Sequence, residues 1–369
     1  MLADPWVSLF HLLEEGADQQ IYTGAVALVG LKGDLLWEGA AGRTSRIPQS
    51  PPVTPETRFD LASLTKPLAT ALALMLLVDR GQLSLAGTLG EILGEVWLPP
   101  DKQPLSLSSL LAHRAGLPAW RPFYQEVLAA PPAQRPTLLE RQAAATPLEY
   151  PPESATLYSD LGYMLLKGVI EKISGQNLDR FCRQEIYRPL GLPTFGFNPL
   201  KQPGGDRLEY AATEPGLIPG RNPVGEVHDE NAWAAGGIAG HAGLFGTGRE
   251  VFHLLAALYQ AHQGSPATPF SPELVRLFFT PVPGSSRTLG FDTPGPHPQE
   301  SAAGRYFSTR SVGHLGFTGA SFWLDLAQGQ MVVLLTNRVH LGRDEKEKIK
   351  AFRPRFQEAA SRALLGRDD

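Results

Sequence analysis

Strand-forming segments lie at both ends of this 369-residue chain, and helix-forming segments lie between them. Near the start, GAVALVGLK and DLLWEGAAG are aliphatic runs separated by Gly33 and Asp34, a pattern typical of a β-hairpin. Beyond residue 300, GRYFSTRSVGHLGFTG and SFWLDLAQGQMVVLLTNRV are again strand-like, with a turn predicted at Gln328-Gly329. The pattern predicts an α/β fold of the α+β type, in which one antiparallel sheet is assembled from both termini and flanked by helices.

The same change of pattern sets the predicted domain boundaries. Residues 1-66 and 235-369 are expected to form a discontinuous α/β domain, and residues 67-234 a mostly helical inserted domain. Amphipathic segments at the two termini, MLADPWVSLFHLLEEG and EKEKIKAFRPRFQEAASRALL, predict helices that pack beside the sheet. We expect a cleft between the two domains.

Composition narrows the possible partners. The formal net charge is −4 and no block of lysines and arginines stands out, which disfavours nucleic acid as a partner. The single cysteine, Cys182, excludes an intrachain disulfide. The longest apolar run, Pro67 to Val78, is too short to cross a bilayer, so we interpret it as a buried helix rather than a transmembrane segment. No oligomeric state is predicted.

The N-terminus bears on location. It has no basic region and meets acidic residues after a short apolar stretch, unlike a signal peptide. The expected location is therefore the cytoplasm, or outside it if the start of an exported chain has been trimmed.

Ser63 and Lys66, in RFDLASLTKPLA, are the first candidates for chemistry. Ser63 follows an extended stretch and begins a helix, so backbone N–H groups would favour negative charge developing beside its hydroxyl. Lys66 lies one helical turn further on, on the same face. Burial and the positive helix end both lower the pKa of such a lysine, which would let a neutral amine accept the serine proton. The alternative is a capping serine and a lysine whose stem lies along the surface.

Two further stretches contain residues suited to the same chemistry. In ESATLYSDLGYMLL, Tyr158 precedes an apolar helix for which Asp160 is a plausible N-cap, and the Tyr158 phenol would relay a proton to a leaving group. The alternative is that Tyr158 is a half-buried aromatic and Asp160 only a cap. In GHLGFTGASFWLD, glycines interrupt a strand, which marks a close approach of another backbone or of a ligand. The N–H groups of Ser63 and Phe317 are the predicted oxyanion donors.

The motifs S-L-T-K, Y-S-D and H-L-G, in this order, resemble those of the serine β-lactamase and penicillin-binding DD-peptidase superfamily, in its class C-like branch with related esterases. The likeness covers nearly the whole chain, including TGAVALVGLKGDLLWEGAAG, LSLSSLLAHRAGLP and YRPLGLPTFGF. The resemblance implies that Ser63 is acylated, that Lys66 activates it and that Tyr158 is the general acid/base. It places His314 at the lysine position of the family's K-T-G signature. The implied substrate contacts are Asp160, His314, Gly316 and Thr318.

Two departures from the family pattern shape the expected activity. Asp160 replaces the usual asparagine and would keep Lys66 charged, which favours Tyr158 as the base. His314 replaces a lysine, so a fixed cation becomes a titratable group. We expect a cofactor-free serine hydrolase that acts through an acyl-enzyme on small esters, D-alanyl amides or β-lactams, with a small molecule or short peptide as substrate. The alternative is a catalytically weak sensor that binds peptidoglycan fragments or β-lactams.

A fourth stretch, GEVHDENAWAAGGIAGHAGLFGTG, is rich in glycine and in potential metal ligands. His228, Asp229, Glu230 and His241 match no standard zinc spacing, so we expect no metal and interpret the segment as a wall of the cleft. A metallohydrolase centred on His228 and His241 is the competing hypothesis.

Overall fold

The computed structural model describes residues 4–94, 98–198, 200, 206–295 and 301–366. The strands are β1 Gly24–Leu31, β2 Asp34–Gly42, β3 Phe59–Asp60, β4 Gly196–Phe197, β5 Leu244–Gly246, β6 Ser311–Leu315, β7 Ser321–Asp325 and β8 Gln330–Thr336. The α-helices are α1 Pro5–Asp18, α2 Leu72–Asp79, α3 Leu89–Leu93, α4 Leu107–Leu111, α5 Tyr124–Val127, α6 Arg135–Ala145, α7 Asp160–Ser174, α8 Leu178–Cys182, α9 Glu230–Ala234, α10 Gly248–His262, α11 Pro272–Phe278 and α12 Lys346–Leu365.

The main sheet joins the two ends of the chain. Its five strands are antiparallel, in the order β2-β1-β8-β7-β6, so the first hairpin pairs directly with the last strand. This confirms the predicted fold class. The first turn lies one residue earlier than predicted: Leu31 pairs with Asp34, and the turn residues are Lys32 and Gly33. Both have positive φ, 55° and 99°, as a two-residue type I′ hairpin requires.

Both faces of this sheet are covered. Along β1, Ala25, Ala27 and Val29 pack towards α1 and α12, whereas Val26 and Leu28 pack towards α10 and the main core. A strand buried on both sides has no polar face, which explains why the sequence of β1 is apolar without alternation. The predicted terminal helices are confirmed in α1 and α12.

The region between the two halves of the main sheet is mostly helical. A 3₁₀ turn at Ala62–Leu64 is followed by a π-helix, Lys66–Ala71, which runs into α2. The segment Ala62–Asp79 has the length and apolarity of a membrane-crossing helix, and 83% of it is buried inside the protein, as in a core helix. The core around it also contains β1, β8 and α7 residues, so the predicted domains share one core.

A second, small sheet positions the start of the Ser63 helix. It has the order β3-β5-β4, and β3 ends at Asp60, three residues before Ser63. Its strand β4 lies in the stretch predicted to be mostly helical and pairs with β5 from beyond residue 235. The small sheet therefore joins residues from both sides of the proposed boundary. The domain limits themselves stay a prediction.

Candidate active site

Ser63 lies on a strained turn. The residue before it, Ala62, has a φ of 49°, in the left-handed region that a residue with a Cβ rarely adopts. Buried Asp60 stabilises the turn, because its Oδ1 accepts a hydrogen bond from the Ala62 N–H at 2.8 Å. Its Oδ2 accepts from the His228 N–H at 2.6 Å, which ties this turn to the glycine-rich segment. The pKa of Asp60 is raised by burial, which these hydrogen bonds only partly offset.

Lys66 is fully buried and its Nζ contacts three oxygen atoms. Nζ lies 3.0 Å from Ser63 Oγ, 3.1 Å from the His241 carbonyl oxygen and 2.7 Å from Asp160 Oδ1. The first two contacts are hydrogen bonds and the third is an ion pair with the Asp160 carboxylate, so this environment matches the charged form of Lys66. The structure thus brings Asp160 together with Ser63 and Lys66, although Asp160 lies 97 residues after Ser63 in the sequence.

The charge state of Lys66 and Tyr158 follows from their surroundings. Burial disfavours the Lys66 ammonium, but Asp160 and Tyr158 outweigh burial and raise the pKa of Lys66. This is opposite to the lowering expected from burial and the helix end alone. Burial and the Asp160 charge raise the pKa of Tyr158, against the opposing effects of Lys66 and Ser63. Both groups therefore hold their protons at neutral pH, and one of these protons has to leave before either can act as a base.

Tyr158 is presented by a loop anchored to His113, two residues after the end of helix α4. The N-cap of α7 is Ser159, whose Oγ accepts from the Gly162 N–H at 3.4 Å, and not Asp160 as predicted. Asp160 instead begins the helix and is free to turn its carboxylate to Lys66. The Ser159 N–H donates to Nδ1 of buried His113, whose ring lies 4.5 Å from that of Tyr158. His113 thus has a structural role, because it holds the loop that carries Tyr158.

The end of β6 lies against the Ser63 turn. A Cβ at Gly316 would come within 2.9 Å of the Leu61 carbonyl oxygen, so the glycine permits the close backbone approach that the sequence predicted. The Phe317 N–H makes no backbone hydrogen bond within the described residues, which leaves it available to an oxyanion. Thr318 is different: it is buried and its hydroxyl donates to the Asp60 carbonyl oxygen at 2.8 Å. The structure does not support a substrate contact for Thr318.

His314 is buried beside Tyr158 and lines the cleft. Its Nδ1 lies 2.9 Å from the Leu315 carbonyl oxygen, which identifies Nδ1 as the protonated nitrogen. Burial lowers the pKa of His314 to about 4, with further lowering from nearby Lys66 and Arg287. The imidazole is therefore neutral at pH 7, and His314 does not replace the charge of a lysine.

The glycine-rich segment pairs its histidines with different carboxylates. His228 Nε2 lies 2.9 Å from Glu214, and His241 Nε2 lies 2.8 Å from Asp229. Burial raises the pKa of Asp229, but the pairing with His241 outweighs burial and lowers this pKa to about 2.

Among the residues that the structure describes, the side chains that come within metal-binding distance are Asp160, Asp229 and His241, whose ligand atoms lie within 4.8 Å of one another. His228 is not in this group, which contradicts a metal centre built on His228 and His241. A metal ion would also compete with the Lys66 ammonium, which already pairs with Asp160.

Two cavities meet at the Ser63 hydroxyl, and Ser63, Tyr158 and Phe317 line both. The first, of about 730 Å³, has a wall of cationic side chains and is named the basic cavity. Its charged and titratable lining residues are Tyr158, Arg287, Asp292, His314, Arg338, Lys346, Glu347, Lys350 and Arg353. The second, of about 370 Å³, is named the acidic cavity. Its charged and titratable lining residues are Tyr158, Asp160, His228, Asp229, Glu230, His241 and Arg343.

Replacing Asp160 with asparagine tests the charge assignment. The Asp160 carboxylate raises the pKa of both Lys66 and Tyr158, so its removal lowers the pH at which this pair loses its shared proton. We expect the rising limb of the pH profile of kcat/KM to move to lower pH in Asp160→Asn. The measurement is ester hydrolysis from pH 5 to 10, with Asp179→Asn on α8 as the control. An unchanged or alkaline-shifted limb would contradict the assignment.

Fold and site together define a serine hydrolase with a lysine and a tyrosine beside the nucleophile. The sequence profile of the Beta-lactamase family matches residues 9–352, and the chain belongs to this family. It is 34% identical over 362 residues to a putative D-alanyl-D-alanine carboxypeptidase of Escherichia coli, covering 90% of this chain and 83% of that protein. It is 33% identical over 345 residues to an N-acetylmuramyl-L-alanine amidase of Bacillus subtilis, covering 86% and 78%. A penicillin-binding protein homologue from Caulobacter crescentus has the same fold, with a TM-score of 0.73, 19% identity and 98% of both chains covered.

Sequence reasoning missed three residues of this site. Asp60 is the first, and its only signal was a carboxylate three positions before Ser63. Arg287 is the second; it pairs with Asp292 and lies 5.0 Å from the Tyr158 ring, but it stands in a loop without a recognisable motif. Trp120 is the third: it lines the acidic cavity and is 38% exposed, a high value for an indole.

Proposed function

We propose that the chain hydrolyses amide bonds in short peptides derived from peptidoglycan, through an acyl-enzyme at Ser63. The observation that carries this proposal is the set of three contacts around Lys66 Nζ, which holds the amine 3.0 Å from Ser63 Oγ. The pair of Lys66 and Tyr158, after losing one proton, takes the Ser63 proton as Oγ attacks the carbonyl carbon. The N–H groups of Ser63 and Phe317 hold the oxyanion.

In the second half of the reaction the same pair works in reverse. The leaving amine takes a proton from Tyr158 as the C–N bond breaks, and the acyl group remains on Ser63. Water then attacks the ester, its proton passes to the pair, and Ser63 leaves with a proton. No metal or cofactor takes part in these steps as proposed.

The basic cavity supports a substrate with a carboxylate beside the scissile bond. Arg338 and Arg353 donate to backbone carbonyl oxygens at the end of β6, so they are already engaged. Lys346, at the start of α12, has no ion-pair partner among the described residues. A substrate carboxylate in this cavity would be bound by the cationic wall. The neutral His314 does not supply that positive charge. The names of the relatives from Escherichia coli and Bacillus subtilis support amides of cell-wall peptides as the substrate class.

The test compares a peptide ending in D-alanyl-D-alanine with the same peptide ending in D-alanine amide. We expect kcat/KM to be higher for the free carboxylate by on the order of tenfold, the effect of about 1.4 kcal/mol. Lys346→Gln is expected to reduce this preference by about two- to fivefold, the range of one exposed charge pair. Lys172→Gln, on the exposed side of α7, is the control. Equal rates for the two peptides would contradict the proposed substrate class, and a lasting Ser63 adduct without turnover would favour a sensor.

A further inference from the structure

The acidic cavity lies next to Ser63, and the steps proposed above place no part of the substrate in it. It shares Ser63, Tyr158 and Phe317 with the basic cavity, so a substrate bound across Ser63 extends into both. Three carboxylates line it, from Asp160, Asp229 and Glu230, against the single guanidinium of Arg343. The two sides of the nucleophile therefore differ in the sign of their charge.

Two of these carboxylates keep an unused oxygen. Asp229 accepts the Ala232 N–H and pairs with His241 through Oδ1, and Glu230 pairs with Arg343 through Oε1. No donor from the described part of the chain reaches Oδ2 of Asp229 or Oε2 of Glu230. These two carboxylate oxygens, at a cavity beside the nucleophile, are open to a ligand that donates hydrogen bonds and carries positive charge.

His241 also lines this cavity, and one nitrogen of its ring has no partner in the described part of the chain. Its ring is 1% exposed, and its Nε2 lies 2.8 Å from Asp229 Oδ1. Nδ1 is buried and has no hydrogen-bond partner among the described residues. A buried ring nitrogen without a partner beside a cavity points to a polar ligand there.

The remaining wall is aromatic. Trp120 is 38% exposed and lines this cavity. Phe317, 47% exposed, is held between His228, at 5.5 Å between ring centroids, and the Arg338 guanidinium, at 4.6 Å. An indole face beside carboxylates attracts alkylammonium groups, because the face carries negative partial charge.

We propose that the acidic cavity binds a primary ammonium group of the substrate, on the opposite side of the scissile bond from the carboxylate. This inference rests on the proposed function and adds to it a substrate that carries opposite charges on the two sides of the scissile bond. The ammonium is either the α-amino group of the acyl residue or the side-chain amine of a diamino acid in that position.

Two matched pairs of p-nitroanilides distinguish these sources. The first pair is D-alanyl p-nitroanilide against its N-acetyl form. The second is N-acetyl-D-lysyl p-nitroanilide against N-acetyl-D-norleucyl p-nitroanilide, which lacks the amine. We expect kcat/KM at pH 7 to be at least about tenfold higher for the amine-bearing member of one pair, in the range of a charge-assisted hydrogen bond.

Two variants of one ion pair are expected to act in opposite directions. Glu230→Gln removes a negative charge from the cavity, so the preference for the amine should fall severalfold. Arg343→Gln leaves the Glu230 carboxylate without its partner, so the preference should rise. Glu56→Gln, an exposed carboxylate near Arg249 and outside both cavities, is the matched control and should keep the wild-type ratio.

The two proposals fail in different ways. Ratios near one for both pairs, with p-nitrophenyl acetate still hydrolysed through Ser63, would overturn the ammonium site and leave the hydrolase intact. A preference for the amine-bearing substrate that changed in the same direction in Glu230→Gln and Arg343→Gln would also overturn the ammonium site. Absence of any Ser63-dependent hydrolysis, together with no labelling of Ser63 by a serine-directed phosphonate, would overturn both proposals.

Discussion

Replacing Ser63 with alanine is expected to lower kcat/KM for ester and amide substrates by on the order of 10⁴-fold or more, because the variant has no atom to form the acyl bond. Residual activity would come from binding and from the oxyanion donors acting on direct attack by water. The fold should survive, since Ser63 is partly exposed and Asp60, not the serine hydroxyl, holds the strained turn. The measurement is steady-state hydrolysis of a p-nitrophenyl ester.

The control for this loss is a serine outside the site. Ser8→Ala, on the exposed side of α1, should hydrolyse the ester at the wild-type rate. Circular dichroism and thermal unfolding of both variants establish that they are folded. A folded Ser63→Ala protein that kept more than a tenth of the wild-type rate would show that another group is the nucleophile.

Replacing Lys66 with methionine is expected to impair both catalysis and folding. The Asp160 carboxylate would lose the buried partner that lies 2.7 Å from it, and breaking such a pair typically costs about 3 kcal/mol. Activity should fall by about 10³-fold or more, because Ser63 Oγ and Tyr158 lose the neighbour that shares their proton. Urea unfolding and ester hydrolysis measure the two effects.

A double variant separates stability from catalysis. In Lys66→Met with Asp160→Asn no unpaired charge remains, so most of the lost unfolding free energy should return while activity stays low. Recovery of activity together with stability would mean that Lys66 acts only as a counter-ion. Activity within tenfold of wild type in Lys66→Met alone would contradict its role in proton transfer.

Local signals in the sequence predicted a large part of this architecture. The spacing of Ser63 and Lys66 is one helical turn, so their contact follows from the chain between them, although that turn is 3₁₀ and π rather than α-helical. The apolar run of β1 and the amphipathic pattern of α12 likewise mark elements that the structure confirms. Each of these predictions depends on residues close in sequence.

The rest depends on contacts between distant segments. The His241 carbonyl that accepts from Lys66 is 175 residues away from it, and Asp60 meets the His228 N–H across 168 residues. No local pattern predicts such contacts. The predicted N-cap of α7, Asp160, is wrong for a similar reason. Ser159 and Asp160 are both residue types that cap helices well. Ser159 is the cap in the structure, where its hydroxyl also donates to the distant Pro118 carbonyl oxygen.

The central claim is that Ser63 carries the acyl group during turnover. The most direct measurement is the intact mass of the protein, quenched with acid seconds after mixing with an activated ester, followed by peptide mapping. The account predicts a mass increase equal to the acyl group, located on Ser63 and lacking in Ser63→Ala. Hydrolysis that proceeds with no adduct at any quench time, or with the adduct on a different residue, would contradict it.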